Sequence, residues 1–593
     1  MRSLFSSSFV FSSLSIINRM KSRFLPTTRT ALLLTLSGVC LGIGFAPLPL
    51  GILAYCGFIP LLIVLETTES AWQTLRRLYW AFFVFHGASN WWVSSWQREA
   101  DPYLMIAGLT LWIGHPFFFA VPMLAYKALH KRLGRTVALG MLPFLWTAFE
   151  WLHSLGEASY PWQALGYTQA YYTPVVQIAD ITGVWGLTWL IVAVNALLAS
   201  IWFKASENVA RSDSFAVRLT KTLYLCRLQV VGVLALALAV LGYGIMQIRN
   251  FQHSHLTKSH KTVSVGIIQP NINPWGKWQG SAQEQVNLHV RLADSLRQNL
   301  PKGLSNLDFT LWSETAIPYR LLIQQNFPYL DALKTWTDST GTAIVSGLPT
   351  DRIYRSRSEA PVTASVIPRM FDTLYSESFN SAMVLAPQTI ISYPDAFTPF
   401  PPSIPIHRKM KLTPLAERVP YAEALSFAVK ALTWGVGISG WGLGRVQKPL
   451  PLIRNSGDTV QIGMVICIES IYPDFVAEYT RKGATVLAVI TNDGWFNHTP
   501  GPEQHYMIAA MRAVESKRYL LRCGNTGVSG FLTPLGTSLR RSEIDTQTAL
   551  AERVPLLSEQ TLYARFGDWL PSGALVLSLV VMAYAVVVHS RRG

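Results

Sequence analysis

Charged residues are scarce in this sequence. Asp, Glu, Lys and Arg make up 14% of the 593 residues, hydrophobic residues make up 50%, and the mean hydropathy is +0.26. Soluble globular proteins carry about 25% charged residues. The composition therefore excludes an ordinary soluble protein and favours a membrane protein with one large polar domain.

Acidic residues are fewer than basic ones, 34 against 50, and the net charge is +16. Such a balance can indicate binding to nucleic acid. In the first half of this chain, however, the basic residues lie in short loops between apolar runs, where they set the orientation of a membrane protein. We therefore expect no nucleic-acid partner.

Cysteine is also rare. The five cysteines are Cys40, Cys56, Cys226, Cys467 and Cys523, and their spacing gives neither a metal motif nor a disulfide framework. The sequence also lacks a nucleotide-binding motif and a metal-carboxylate motif. We therefore expect no cofactor and no metal, and a glycosyltransferase is disfavoured.

Long apolar runs predict about eight membrane spans, because each run is close to the ~20 residues that a helix needs to cross hydrocarbon. The runs lie at about 31–46, 50–66, 78–96, 103–126, 137–153, 174–203, 228–247 and 571–588. They predict a basic cytoplasmic segment at 1–30, a transmembrane bundle of about seven helices at 31–250, and a C-terminal transmembrane helix with a short cytoplasmic tail at 569–593.

The loops between these runs predict the orientation. Lys and Arg mark the cytoplasmic side of a membrane protein. Alternate loops are rich in them, namely the N-terminal segment, 76–77, 127–135, 204–227 and 591–592. Both termini are therefore expected in the cytoplasm, and the polar domain at 255–568 is expected in the periplasm of a bacterium, held on the inner membrane.

Between 255 and 568 the pattern changes to short β-rich runs that alternate with helical spacing, which is typical of an α/β domain. Strands are predicted at Val263–Ile268, Phe309–Trp312, Ala343–Gly347, Ala382–Leu385, Val460–Cys467 and Val486–Thr491. Residues 353–378 are rich in Arg, Ser and Pro and predict a surface loop.

Cys467 ends one of these strands. Val460, Ile462, Val465 and Ile466 predict a buried strand, and a thiol at its end can be held rigidly in a cleft. Taken alone, however, a free cysteine is more often a small core residue than a nucleophile.

Three further segments hold candidate chemical groups. Glu314 follows the predicted strand Phe309–Trp312, and a carboxylate held there can act as a general base. Lys409 can stabilise negative charge, and the loop at 492–496 follows the strand Val486–Thr491. Taken alone, Glu314 is explained equally well as a surface or helix-capping residue, and Lys409 as part of a solvated loop.

Six motifs occur in order along the chain: WSETA at 312–316, KMKLTPLAERVP at 409–420, CIE at 467–469, NDGWF at 492–496, GPEQH at 501–505 and RAVE at 512–515. Together, these motifs resemble the apolipoprotein N-acyltransferase family of the nitrilase (carbon-nitrogen hydrolase) superfamily. The resemblance covers the chain from about residue 30. It departs from the family pattern at Ala416, where Gly is usual, and at Arg418, where an aromatic residue is frequent.

The resemblance implies a multi-span helical bundle joined to a nitrilase-like αββα sandwich. It also implies that Glu314 is the general base, that Lys409 stabilises the charged intermediate and that Cys467 is the nucleophile. Supporting residues carried over in the same way are Glu417, Glu469, Trp278, Trp495 and Trp162. Cys523 matches no nucleophile position and is interpreted as a core residue.

The function implied by this resemblance is transfer of an acyl chain from a membrane phospholipid to an apolipoprotein. The chain would pass through a thioester on Cys467 to the N-terminal amine of the diacylglyceryl-cysteine, in a ping-pong sequence. A membrane-tethered amidase or nitrilase that uses water is the alternative. A transporter with a ligand-binding module is disfavoured, because no internal repeat is visible.

The stretch at 422–445 is unusually apolar for a polar domain. Its residues are compatible with a mobile lid that dips into the bilayer and equally with an internal core helix.

Overall fold

The structure is a computed structural model of the full chain. It describes residues 27–95, 102–210, 212, 214–257, 260–277, 280–368, 373–391, 404–424 and 440–590. Most of the basic segment at 1–30, most of the stretch at 422–445, and Trp278 lie outside the described residues, so the predictions made for them remain predictions.

The described residues up to Thr257 are mainly helical. The helices in sequence order are α1 Thr28–Gly42, α2 Phe58–Glu66, α3 Ala71–Asn90, α4 Pro102–Leu133, α5 Arg135–Leu152, α6 Thr173–Val176, α7 Ala179–Thr182, α8 Val184–Asn208, α9 Phe215–Leu225 and α10 Arg227–Thr257. Short 3₁₀ turns at Gly51–Tyr55 and Trp91–Ser94 complete the connections that matter below.

Four helices in the described parts of the chain are long and apolar enough to cross a membrane. They are Leu104–Leu133, Val184–Asn208, Arg227–Ser254 and Trp569–Ser590. The other predicted spans coincide with helices that are shorter or less apolar, namely α1, the segment Gly51–Glu66, α3 and α5. The chain is a membrane protein with several candidate spans, and the number eight remains a prediction.

The polar domain is built on two sheets. Its strands are β1 Thr262–Gln269, β2 Phe309–Trp312, β3 Ala343–Tyr354, β4 Ser365–Pro368, β5 Thr373–Leu385, β6 Ile406–Arg408, β7 Leu450–Ile453, β8 Thr459–Ile466, β9 Val486–Thr491, β10 Leu520–Gly524, β11 Gly530–Leu532, β12 Ser538–Arg541 and β13 Thr548–Pro555. Its helices are α11 Ala282–Gln298, α12 Phe327–Thr340, α13 Pro473–Arg481, α14 Pro500–Ser516 and α15 Leu562–Phe566, and the chain then enters α16 Trp569–Ser590.

Strand order defines the sandwich. Among the described residues, one sheet has the order β13-β1-β2-β3-β5-β4, with β6 also paired to β5, and the other has the order β12-β11-β10-β9-β8-β7. β1, β2 and β3 are parallel to each other, as are β8, β9 and β10. Parallel strands are usually covered on both faces, and this domain meets that requirement with one shared core and two outer helical layers.

The hydrophobic residues alternate accordingly. On β8, Val460, Ile462, Met464 and Ile466 pack into the core shared by the two sheets. Val465 points to the opposite face, in the cluster with residues of α13 and α14. Residues of α11 and α12 cover the outer face of the other sheet. The predicted α/β sandwich with helices outside is therefore the observed fold.

One sequence-based expectation is wrong. The segment 353–378 is not simply a surface loop, because it contains the end of β3, all of β4 and the start of β5. Pairs such as Tyr354 with Tyr375 and Val366 with Tyr375 extend the sheet into an antiparallel edge. The Arg- and Ser-rich composition does not indicate these strands, because an exposed edge of a sheet does not require the alternation of apolar and polar residues that marks a half-buried strand.

The helical bundle and the sandwich share a buried polar junction. Glu515 on α14 accepts hydrogen bonds from the backbone N–H of Val184 at 2.8 Å and from Arg512 Nη2 at 2.9 Å. Arg512 Nη1 in turn donates to Tyr167 Oη at 3.0 Å. Asp568, before α16, accepts from the indole N–H groups of Trp151 at 2.9 Å and Trp185 at 2.7 Å. These contacts fix the sandwich on the helices.

We expect Glu515→Ala to lower the free energy of unfolding by about 3–5 kcal/mol, because it leaves the buried Arg512 guanidinium without its carboxylate. Thermal unfolding in detergent measures the effect. Glu552→Ala is the control: its ion pair with Arg540 lies at the surface, and such pairs contribute up to about 1 kcal/mol. Equal shifts for the two variants would contradict the role assigned to the junction.

Candidate active site

Cys467 is the first residue after β8, and its backbone is in the left-handed region with φ +50°. A non-glycine residue there costs on the order of 1–3 kcal/mol and persists only where neighbouring groups hold it. Here Ser470 Oγ donates to the Cys467 carbonyl oxygen at 2.9 Å. The tight turn leaves the thiol half-buried at the wall of a cavity.

A buried network lies beneath this turn. His505 Nδ1 lies 2.8 Å from Asp493 Oδ1, and its Nε2 lies 2.8 Å from Ser470 Oγ. Burial lowers the pKa of His505, and its Nδ1 donates to the carboxylate of Asp493. Arg522 donates to Asp493 Oδ2 at 2.6 Å. Burial alone would raise the pKa of Asp493, but Arg522 and His505 hold it below its ordinary value.

Lys409 follows β6 and lies between two carboxylates. Its Nζ is 3.2 Å from Glu314 Oε1 and 2.8 Å from Glu417 Oε1, and all three side chains are largely buried. Burial alone would lower the pKa of Lys409, but the charges of Glu314 and Glu417 raise it well above its ordinary value. Lys409 is therefore a fixed cation between these two side chains.

Further donors orient the two carboxylates. Asn380 Nδ2 donates to Glu314 Oε1 at 2.7 Å. Glu417 Oε2 accepts from the backbone N–H of Thr413 at 2.8 Å and from its hydroxyl at 3.0 Å. Each carboxylate therefore has a fixed orientation, with one oxygen of each directed to Lys409.

Glu469 joins the strand of the cysteine to the strand of the lysine. Its Oε2 accepts from the backbone N–H of Ile466 at 2.8 Å and lies 3.0 Å from His407 Nε2. Its Oε1 accepts from the backbone N–H of Met410 at 2.6 Å. Glu469 is fully buried behind the cavity, so it positions the backbone on both sides and does not line the cavity.

The environment keeps the thiol protonated at rest. Burial raises the pKa of Cys467 and the Glu314 carboxylate raises it further, while Lys409 opposes both. A protonated thiol is a weak nucleophile, so attack requires a base that takes the proton as the new bond forms. Glu314 is the carboxylate that contributes most to the thiol pKa.

A cavity of about 270 Å³ brings the predicted residues together. Glu314, Lys409, Glu417 and Cys467 form its polar end. Trp162 and Trp495 are in its wall, together with Trp275, Tyr160 and Trp441. The helical bundle also contributes to the lining, with Trp92 and Val93 in the turn after α3 and Leu104, Ala107, Thr110 and Leu111 on α4. A largely apolar passage thus connects the polar end to a candidate membrane helix.

The rival thiol is elsewhere. Cys523 is fully buried in the core between the sheets, and its Sγ donates to the backbone oxygen of Ile268 at 3.2 Å. Its interpretation as a core residue is confirmed. Within the described residues, no group of three His, Cys, Asp or Glu side chains is arranged to hold a metal ion.

Three cavity residues were missed by the sequence reasoning. Asn380 lies in the middle of β5, and only the pairing of that strand with β3 and β6 brings it to Glu314. His505 ends the GPEQH motif, and only the structure shows its contacts with Asp493 and Ser470. Lys277 contacts the backbone of Glu314 from a loop 37 residues earlier. Its one signal in the sequence is its position beside Trp278, a residue that the family resemblance implies.

Comparisons with known proteins agree with this architecture. Residues 37–197 match the family model of the apolipoprotein N-acyltransferase N-terminal domain, and residues 264–564 match the carbon-nitrogen hydrolase model. An apolipoprotein N-acyltransferase of Chlorobaculum tepidum is 29% identical over 93% of this chain and 96% of its own. One of Geobacter metallireducens is 27% identical over 94% and 95%.

Among solved structures, a carbon-nitrogen hydrolase from Helicobacter pylori covers 52% of this chain and 94% of its own, with 13% identity and a TM-score of 0.34. The hydrolase model spans half of the sequence, and the N-terminal model precedes it in the helical part. The chain therefore belongs to the carbon-nitrogen hydrolase family and, with its helical N-terminal domain, to the acyltransferases of the apolipoprotein N-acyltransferase type.

Proposed function

We propose that this protein transfers an acyl chain from a membrane phospholipid to the N-terminal amine of the diacylglyceryl-cysteine of an apolipoprotein, through a thioester on Cys467. The observation that carries the proposal is the shared cavity. Its lining holds a thiol, a carboxylate and an ammonium group together with apolar side chains of a candidate membrane helix.

In the first half-reaction, Cys467 Sγ attacks the ester carbonyl carbon while Glu314 takes the thiol proton. A C–S bond forms, and Lys409 stabilises the negative charge that develops. The ester C–O bond then breaks, and Glu314 returns the proton to the leaving oxygen. The products are a lysophospholipid and an acyl-enzyme.

In the second half-reaction, the free amine of the acceptor attacks the thioester and Glu314 takes a proton from the nitrogen. A C–N bond forms, the C–S bond breaks, and the thiol regains a proton. Amines attack thioesters readily, and the tryptophan-rich wall of the cavity disfavours entry of water. In this scheme Glu417 and Asn380 orient the charged pair, and Glu469 aligns the two strands.

The acyl chains of both proposed substrates lie in a bilayer, and the basic loops favour a domain at 255–568 on the periplasmic face of a bacterial inner membrane. Contacts such as Trp162 Nε1 to Gln504 Oε1 at 2.9 Å and Tyr167 Oη to the Ile471 oxygen at 3.1 Å support a site close to the helices. We therefore propose that the site lies at the periplasmic face of the membrane, where acyl chains can reach the thiol without crossing water.

A two-step incubation tests the proposal. Purified protein mixed with a phospholipid in detergent should gain the mass of one acyl chain and release lysophospholipid in equal amount. Addition of a synthetic diacylglyceryl-cysteine peptide should then remove that mass and yield the N-acyl peptide. Hydrolysis of small amides without any acyl gain from phospholipid would contradict it and favour the water-using amidase.

A further inference from the structure

Lys277 is a second lysine in the cavity wall, and its side chain is almost completely buried, with 3% exposed. Its Nζ donates to Thr315 Oγ1 at 2.9 Å and to the backbone oxygen of Glu314 at 3.2 Å. An ammonium group has three N–H donors. In the described parts of the chain, therefore, one donor of Lys277 has no protein acceptor, and the side chain borders the open cavity.

The charge of Lys277 is not matched by an ion pair. Lys409 has two carboxylates within 4.0 Å, whereas no described carboxylate comes that close to Lys277. Burial lowers the pKa of Lys277 to about 8, with the Glu314 charge opposing. At neutral pH it is therefore mostly an ammonium group, and a buried charge of this kind is costly unless an anion accompanies it.

The proposed donor supplies such an anion. In a phospholipid, the phosphodiester is separated from the reacting ester by the glycerol backbone. A donor whose carbonyl carbon lies at Cys467 therefore brings a negative charge into the same polar end. The acceptor amine lacks this group, because a diacylglyceryl-cysteine carries no phosphate.

We propose that Lys277 binds the phosphodiester of the acyl donor and so gives the first half-reaction its preference for phospholipids over neutral esters. This inference rests on the proposed function, since it specifies how that site selects its donor.

A purely structural role is the competing explanation. Thr315 has φ +48°, and Lys277 holds the turn that carries Glu314. If that were its only contribution, its loss would slow the use of every donor by the same factor. The two explanations therefore predict different ratios between the rates measured with a phospholipid and with a neutral ester, whereas the absolute rates do not distinguish them.

The test measures the rate of acyl-enzyme formation by intact mass with two donors that carry identical acyl chains, a phosphatidylglycerol and a neutral diacylglycerol, in the same detergent. Wild-type protein should form the acyl-enzyme from the phospholipid at least about tenfold faster than from the diacylglycerol. In Lys277→Met the ratio between the two rates should fall most of the way to one, because the phospholipid reaction slows much more than the diacylglycerol reaction, and Lys277→Arg should keep the wild-type ratio. Lys482→Met, at a half-exposed surface position, should leave the ratio unchanged.

Equal use of both donors by the wild type would overturn the inference without any variant. It would also be overturned if Lys277→Met slowed both donors equally, or if acyl-enzyme formed normally and only amide formation slowed. Absence of an acyl-enzyme with any donor would instead reject the proposed function itself, and this result is distinguishable from the others.

Discussion

Cys467→Ser is expected to abolish acyl transfer, with a loss of about 10⁴-fold or more in the rate of N-acyl peptide formation. The hydroxyl that replaces the thiol is a much weaker nucleophile. Intact mass after incubation with phospholipid should show no added acyl chain.

Cys523→Ser is the matched control. Its sulfur lies in the core between the sheets and only donates to a backbone oxygen, so the serine can keep that hydrogen bond. This variant should still gain one acyl chain. The assignment of the nucleophile would fail if the chain were found on the Cys467→Ser protein or if it were lost from the Cys523→Ser protein.

Glu314→Gln should lower the rates of both half-reactions by about 10²–10⁴-fold. The amide preserves the volume and can still accept hydrogen bonds from Asn380 and Lys409, but it cannot take a proton. Because burial raises the thiol pKa, the resting enzyme holds Cys467 as a thiol and depends on this base for attack. Single-turnover measurement of acyl-enzyme formation, followed by measurement of amide formation, separates the two effects.

Glu417→Gln gives the comparison. It removes the other carboxylate beside Lys409 and leaves the base in place, so its loss of rate should be clearly smaller than that of Glu314→Gln. The reverse order would assign the proton transfer to Glu417. A Glu314→Gln protein that forms acyl-enzyme at the wild-type rate would rule out Glu314 as the base of the first step.

Much of this arrangement could be predicted from the sequence because its determinants are local. The alternation on β8 identifies the strand, and the motif residues Glu314, Lys409 and Cys467 each come directly or almost directly after a strand. Residues that reach the site only through tertiary pairing could not be found in this way. Asn380 depends on the register of β5, and Lys277 depends on the path of a loop that places it against a turn 37 residues away.

The strained backbone of Cys467 was likewise beyond prediction, since a positive φ at a non-glycine residue leaves no mark in composition or spacing. The sequence indicated a thiol at a strand end. The structure adds the turn that exposes it, together with the Ser470 and His505 contacts that hold this turn.

The shared cavity wall has a consequence for how such a protein can be taken apart or recombined. Leu104 and Leu111 belong to a different family module from Cys467, yet all three border one volume. A sandwich domain produced without the helices would retain the Cys467 thiol but lose the apolar surface that contacts the acyl chain of the substrate. Chimeras between relatives should therefore work only when the two modules are exchanged as a pair.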